Sequence, residues 1–119
     1  MLNHIGTEQR VYLACGVTDM RKSIDGLAAL VQTQFQLDPF SQCVFVFCNR
    51  QRDKLKILYW QYNGFWLLYR RLERGRFEWP SSSQDKTLVI SQRQLNWLLD
   101  GLSLNQQKAH PKVAAQKVV

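Results

Sequence analysis

The residues with the most chemistry to offer lie between Gln42 and Pro80. Arg50, Arg52, Lys54, Lys56, Arg70, Arg71, Arg74 and Arg76 fall there, interleaved with Trp60, Tyr62, Trp66, Tyr69 and Trp79. Guanidinium and ammonium groups bind phosphate oxygens, and aromatic rings stack on unpaired bases. The combination fits a polyanion that also presents flat apolar rings, namely nucleic acid. Arg50 and Arg52 lie in a polar stretch between two apolar runs, and loops carry function disproportionately. They are therefore the first candidates for phosphate contact, followed by Lys54, Lys56, Arg71 and Arg76. Arg21 and Lys22, near an expected helix start, are further candidates. Trp60, Tyr62 and Tyr69 are the candidates for base stacking. The net charge of +7 and pI near 9.7 also favour a polyanionic partner. The alternative for the same residues is a solvated face neutralised by its own carboxylates, with Arg21 paired to Asp25.

Catalysis finds little support. His4 and His110 lie near the two ends, so no histidine is placed to act as a base inside a fold. No glycine-rich phosphate loop is present. The aspartates are spread over caps and turns, whereas metal-dependent strand transfer needs several carboxylates converging on the ions. Asp53 beside Lys54 and Lys56 lacks a second carboxylate, and the simplest role for it is pairing with Arg52 or Lys54. No catalytic residue, metal or cofactor is assigned, and the chain reads as a non-enzyme. Cys15, Cys43 and Cys48 form no CxxC pair and read as buried thiols of a cytoplasmic protein. No apolar run approaches membrane-spanning length.

Positioning these side chains falls to a sheet. Asn63-Gly64 is the strongest hairpin signal in the chain. A turn centred there pairs Tyr62 with Phe65, Trp60 with Leu67, Lys56 with Arg71 and Lys54 with Glu73. Alternation then puts Leu55, Ile57, Tyr59, Leu68 and Leu72 on a core face. Lys54, Lys56, Leu58, Trp60, Leu67, Tyr69 and Arg71 share the other face, mixing cations with aromatics. A second turn at Arg74-Gly75 would bring Glu78 opposite Arg71. Val11–Cys15, Cys43–Asn49 and Thr87–Ile90 read as further strands, the second covered on both sides.

Thr18 and Asp19 suit a helix start, and Met20, Ile24, Leu27, Val31 and Phe35 recur at helical spacing. Gly26 within that helix costs about 1 kcal/mol relative to alanine, which a close approach of helix to strand would explain. Ser91 and Gln94 match a capping box ahead of Leu95, Leu98, Leu99 and Leu102, with Gly101 as the stop. The expected fold class is α+β: an antiparallel-dominated sheet of about five to six strands, ordered β-α-β-β-β-β-β-α, with two amphipathic helices packed on it. Residues 1–10 read as a flexible arm, 11–104 as one domain, and 105–119 as a basic, disordered tail.

Three blocks carry a resemblance: YLACGVTDMRKSIDGLAALV from Tyr12, DPFSQCVFVFCNRQRDKLKILYWQYNGFWLLYRRLERGRFEWP from Asp38, and LVISQRQLNWLLDGL from Leu88. Together they make the chain, from about Val11 to Leu104, resemble the small accessory protein (TnpB, or Orf2-like) encoded by bacterial transposable elements of the insertion-sequence-66 class. Arg70 stands where the family is associated with lysine, and Trp66 where it is associated with cysteine. The resemblance implies an auxiliary of transposition, with the metal-dependent chemistry in a separate, larger transposase. It does not extend to the RNA-guided nuclease of the same name, whose carboxylate constellation is missing. DNA and that transposase are the expected partners, self-association is left open, and two roles remain: a DNA-binding accessory, or a scaffold for the transposase complex that does not touch DNA.

Overall fold

The computed structural model describes residues 9–104 apart from Ser83. Most of the expected arm and all of the expected tail, with His4 and His110, lie outside the described residues. The order is β1 (Val11–Ala14), α1 (Ile24–Thr33), β2 (Val44–Cys48), β3 (Lys54–Gln61), β4 (Gly64–Arg71), β5 (Thr87–Ile90) and α2 (Gln92–Leu99). The five strands form one mixed sheet in the order β4-β3-β2-β1-β5. Only β1 and β2 run parallel, joined by the α1 crossover, and the other pairs are antiparallel. This is the expected α+β class, with one strand fewer than the element order written from the sequence.

Each face of the sheet is covered. Val11, Leu13, Val44, Val46, Cys48, Leu55, Ile57, Tyr59 and Ile90 point to one side and bury Leu95, Leu98 and Leu99 of α2 together with Phe77. Ala14, Phe45, Phe47 and Leu58 point to the other and bury Leu27 and Val31 of α1. Every residue of β2 is buried, as its unbroken apolar run requires for a strand covered on both sides. α2 begins with the expected capping box: the Gln94 N–H donates to Ser91 Oγ and the Ser91 N–H to Gln94 Oε1. It ends in a Schellman motif in which Gly101, at φ +77°, donates to Leu98 O and Leu102 to Trp97 O.

Five local expectations are corrected. The β3–β4 turn is centred on Tyr62-Asn63, so Gln61 pairs with Gly64, Trp60 with Phe65, Lys56 with Tyr69 and Lys54 with Arg71. Each β3 residue thus meets a partner two positions earlier in β4 than expected, an even shift that leaves the two faces intact. Tyr62 takes the positive φ, +58°. The shift brings Phe65 opposite Trp60, edge-on with centroids 5.0 Å apart, and Phe40 closes the group 5.0 Å from Trp60. Side-chain packing outweighs the intrinsic preference of Asn-Gly.

α1 starts at Ile24 with Ser23 as its cap residue, not at Thr18. Thr18 is buried and its N–H donates to Cys48 O at 2.8 Å, tying the chain to the end of β2 before the helix can begin. Among the described residues no strand turns back at Arg74-Gly75 to pair with β4. Leu72 and Phe77 donate instead to Asp53 O and Arg52 O, and Phe77 is buried beneath α2. Glu78 accordingly meets Ser103 and the Leu104 N–H rather than Arg71. The close neighbour of Gly26 is Lys22, whose side chain a Cβ would approach to 3.3 Å, and not a strand. Of the three cysteines only Cys48 is fully buried, and burial pushes its thiol up to about 12.

Candidate nucleic-acid interface

β1 and β2, being parallel, end at the same edge of the sheet. β3 begins there, β4 ends there and β5 begins there. Residues far apart in sequence are thereby gathered: Arg21 and Lys22 before α1, Arg50 and Arg52 after β2, Lys54 and Lys56 opening β3, and Arg71, Arg74 and Arg76 closing β4 and following it.

The loop at 49–53 is held from inside. Asn49 is buried; its Nδ2 donates to Asp53 Oδ1 at 2.7 Å and to Gln51 Oε1 at 3.2 Å, while its Oδ1 accepts the N–H groups of Asp53 and Lys54. Arg52 sits at φ +60° and its carbonyl accepts from Phe77 at 2.6 Å. These bonds point the Arg50 and Arg52 side chains outward, and among the described residues neither has an ion-pair partner. Asp53 is committed to this scaffold, not paired with Arg52 or Lys54 as expected. The Asn49 bond is the main cause lowering its carboxyl pKa, with Lys54 and Arg71 adding to it.

The other cations are engaged to different degrees. Arg21 pairs with Asp19 at 2.8 Å, where Asp25 was expected. Three donors from Arg21 hold the Asp19 carboxylate, and its pKa falls to about 2. Arg71 pairs with Glu73 at 2.8 Å. Lys56 donates to the carbonyls of Met20 and Lys22, both at 2.7 Å, so its ammonium fastens the approach to α1 to the sheet. Lys56 and Arg71 are not opposed; Lys54 faces Arg71 instead.

An open groove of about 640 Å³ brings Arg21, Lys54, Lys56 and Tyr69 together with Asp19 and Met20. Tyr69 is half-exposed among these cations. The other two stacking candidates are elsewhere. Trp60 is packed against Phe40 and Phe65, four residues along β3 from Lys56, roughly 13 Å at the rise of an extended strand. Tyr62 is 92% exposed at the far turn. A second cleft, lined by Arg50, Arg52 and Trp79, was missed from the sequence. Trp79-Pro80 ahead of three serines was visible, but nothing local showed that this segment folds back against the 49–53 loop. Among the described residues no three His, Cys, Asp or Glu side chains cluster as a metal site would need. No helix among them is long and apolar enough to cross a membrane.

Residues 9–109 match the family described as IS66 Orf2 like protein. The chain belongs to the IS66 Orf2-like family. Two relatives come from Sinorhizobium fredii (strain NBRC 101917 / NGR234). Uncharacterized protein y4hO is 40% identical over 97 residues, covering 82% of this chain and 84% of that protein. Uncharacterized protein y4jC is 32% identical over 109 residues, covering 92% of each. No solved structure matches. Family membership places this IS66 Orf2-like chain among the accessory proteins of insertion-sequence transposition. The matched region takes in every cation of the groove and the loop.

Proposed function

We propose that this protein assists transposition by binding DNA at the basic end of its sheet, so that a separate transposase can engage the ends of the element. One observation carries the reading: Arg50 and Arg52 stand exposed, and among the described residues without carboxylate partners, on a loop clamped by the buried Asn49. A loop whose backbone is fixed from within gives up little entropy on binding and defines where the phosphates it meets will lie. Lys54 and Arg21, which share a groove, extend the field together with Lys22, Arg74 and Arg76. No catalytic step is assigned to this chain.

The test is binding to labelled element-end duplex, scrambled duplex and single strands, each across a salt series. Submicromolar affinity that falls steeply with salt is expected, with a log–log slope reporting the phosphates engaged. The Arg50→Ala/Arg52→Ala double variant should weaken all three and flatten the slope by about two. Unchanged binding by that variant would overturn the assignment.

A second reading concerns the opposite end. The β3–β4 hairpin carries no charged side chain from Ile57 to Tyr69 and holds Tyr62 and Trp66 exposed. Aromatic, uncharged tips of this kind suit protein contact, and the transposase is the partner proposed for it. Co-purification from nuclease-treated lysate, abolished by Tyr62→Ala/Trp66→Ala, would support that contact.

A further inference from the structure

The cleft beside the basic loop has a construction that phosphate binding alone does not explain. It encloses about 460 Å³ between the residues following β1 (Gly16, Val17), the loop after β2 (Asn49, Arg50, Arg52) and the segment Trp79–Ser82. That volume lies within the roughly 300–1,000 Å³ of small-ligand sites. The position, outside the carboxyl ends of two parallel strands, is where open α/β sheets bind ligands.

Its walls are fixed. The Trp79 indole N–H donates to Ala14 O at 2.9 Å, which sets the plane of a half-buried ring whose inner side packs on the core under α2. Gly16 donates to Pro80 O and Cys15 to Lys86 O, stapling the two flanking segments together. Gly16 lies at φ +81°, and a Cβ there would come within 2.9 Å of both Cβ and Oγ of Ser82. Only glycine permits this approach, so the narrow floor of the cleft is built into the sequence.

The chemistry divides by depth. Trp79, Pro80 and Val17 supply flat apolar surface, Ser81 and Ser82 supply hydroxyls, and Arg50 and Arg52 stand at the rim. A slot of this kind takes a planar ring that carries hydrogen-bonding edges and an attached phosphate. We infer that the cleft holds one unpaired nucleotide of a DNA strand, its base against Trp79 and its phosphates between Arg50 and Arg52. This rests on the DNA-binding reading above and adds what that end recognises: a frayed or single-stranded element end. A paired base, stacked inside a duplex, cannot enter without being extruded.

The experiment compares blunt element-end duplex with the same duplex carrying a short single-stranded flap, using wild-type protein and the Ser81→Trp variant. Ser81 is exposed, and a tryptophan there fills the slot while leaving every cation in place. Wild type should prefer the flapped duplex by roughly tenfold, within the range one stacked base contributes. Ser81→Trp should lose that preference. Equal binding of both duplexes by wild type, or a preference that survives Ser81→Trp, would overturn the inference and leave the DNA-binding reading standing. Failure to bind any DNA would remove both.

Photo-crosslinking of wild type to a flap bearing 5-iodouracil gives an independent readout. Crosslinks mapped to Trp79 are expected, and crosslinks confined to Tyr62, Trp66 or Tyr69 would overturn the assignment. Short single strands should compete with the flap far better than free deoxynucleoside monophosphates, because a monophosphate offers only one of the two phosphates that flank a nucleotide within a strand. Release by a monophosphate at equal concentration would make this a free-nucleotide site and not a DNA site.

Discussion

At one end of the sheet the connections after β1, β2 and β4 leave side by side, carrying Arg21, Lys22, Arg50, Arg52, Arg74 and Arg76. At the other end the β3–β4 turn carries Tyr62 and Trp66 and no charge at all. Both ends are made by the same antiparallel pair, β3 and the edge strand β4, and the separation follows from strand direction. Lys54 and Lys56 open β3 and Arg70 and Arg71 close β4, so pairing them in an antiparallel hairpin puts all four cations at one end. The residues between them are apolar, aromatic or neutral and gather at the turn. The parallel β1–β2 pair then delivers two more basic loops to the charged end and none to the tip. Most of the described Lys and Arg side chains are thus gathered at one end, where their field steers a polyanion toward the clefts there.

The largest expected effect tests that polarity. Removing Arg50, Arg52, Arg74 and Arg76 together should weaken duplex binding on the order of a hundredfold at low salt, with a log–log slope flatter by about three to four. Tyr62→Ala/Trp66→Ala should leave affinity and slope at wild-type values in the same titration. DNA affinity that fell as far with the tip variant as with the arginine variant would show the two ends acting as one surface.

The contrast was half legible in the sequence. Alternation along β3 and β4 assigns faces by parity alone, and parity survived the two-residue shift in register. For that reason the core face of Leu55, Ile57 and Tyr59 was found although no expected cross-strand pair was right. The turn was misplaced because Asn-Gly is a local preference, while the Trp60–Phe65–Phe40 contacts that outweigh it involve a residue twenty positions away. The capping box at Ser91 and the stop at Gly101 were readable because a cap is satisfied within a few residues. The start of α1 was not, since Thr18 spends its N–H on Cys48, a partner that only the fold supplies. The same limit hid Trp79: its meeting with Arg50 and Arg52 depends on Phe77 being drawn under α2.

Lys56 marks the boundary between cations that face solvent and cations that hold the fold. Its ammonium makes short bonds to Met20 O, which is partly buried, and to Lys22 O, which is exposed; a bond from a charged group is worth about 1.5–3 kcal/mol net, and solvent leaves the exposed one adding little. Lys56→Ala should therefore lower unfolding stability by about 2 kcal/mol, read as a lower urea midpoint at unchanged m-value. DNA affinity measured well below that midpoint should change far less than in the Arg50/Arg52 variant. The reverse pattern, full stability with collapsed binding, would move Lys56 from scaffold to interface.

The smallest effect concerns Arg21, which the structure shows neutralised by its own neighbour. Three donors of Arg21 hold the Asp19 carboxylate and lower its pKa to about 2. A lowered carboxyl pKa means the pairing is complete above the ordinary carboxylate range, near 3.9, and is lost only as pH falls through about 2. Across the range in which DNA binding is measured, Asp19 is ionised and competes with phosphate for Arg21. Asp19→Asn should release the guanidinium and raise DNA affinity by roughly twofold to fivefold at low salt, the scale of one exposed ion pair. The gain should fade as salt screens it. Carboxyl NMR titration supplies the control: Arg21→Ala should move the Asp19 midpoint upward, while Asp19→Asn should leave the titration of Asp53 where it is. If Asp19→Asn left affinity unchanged at every salt concentration, Arg21 would lie outside the bound strand's path, and the field would be confined to the side that carries Arg50, Arg52 and the Trp79 cleft.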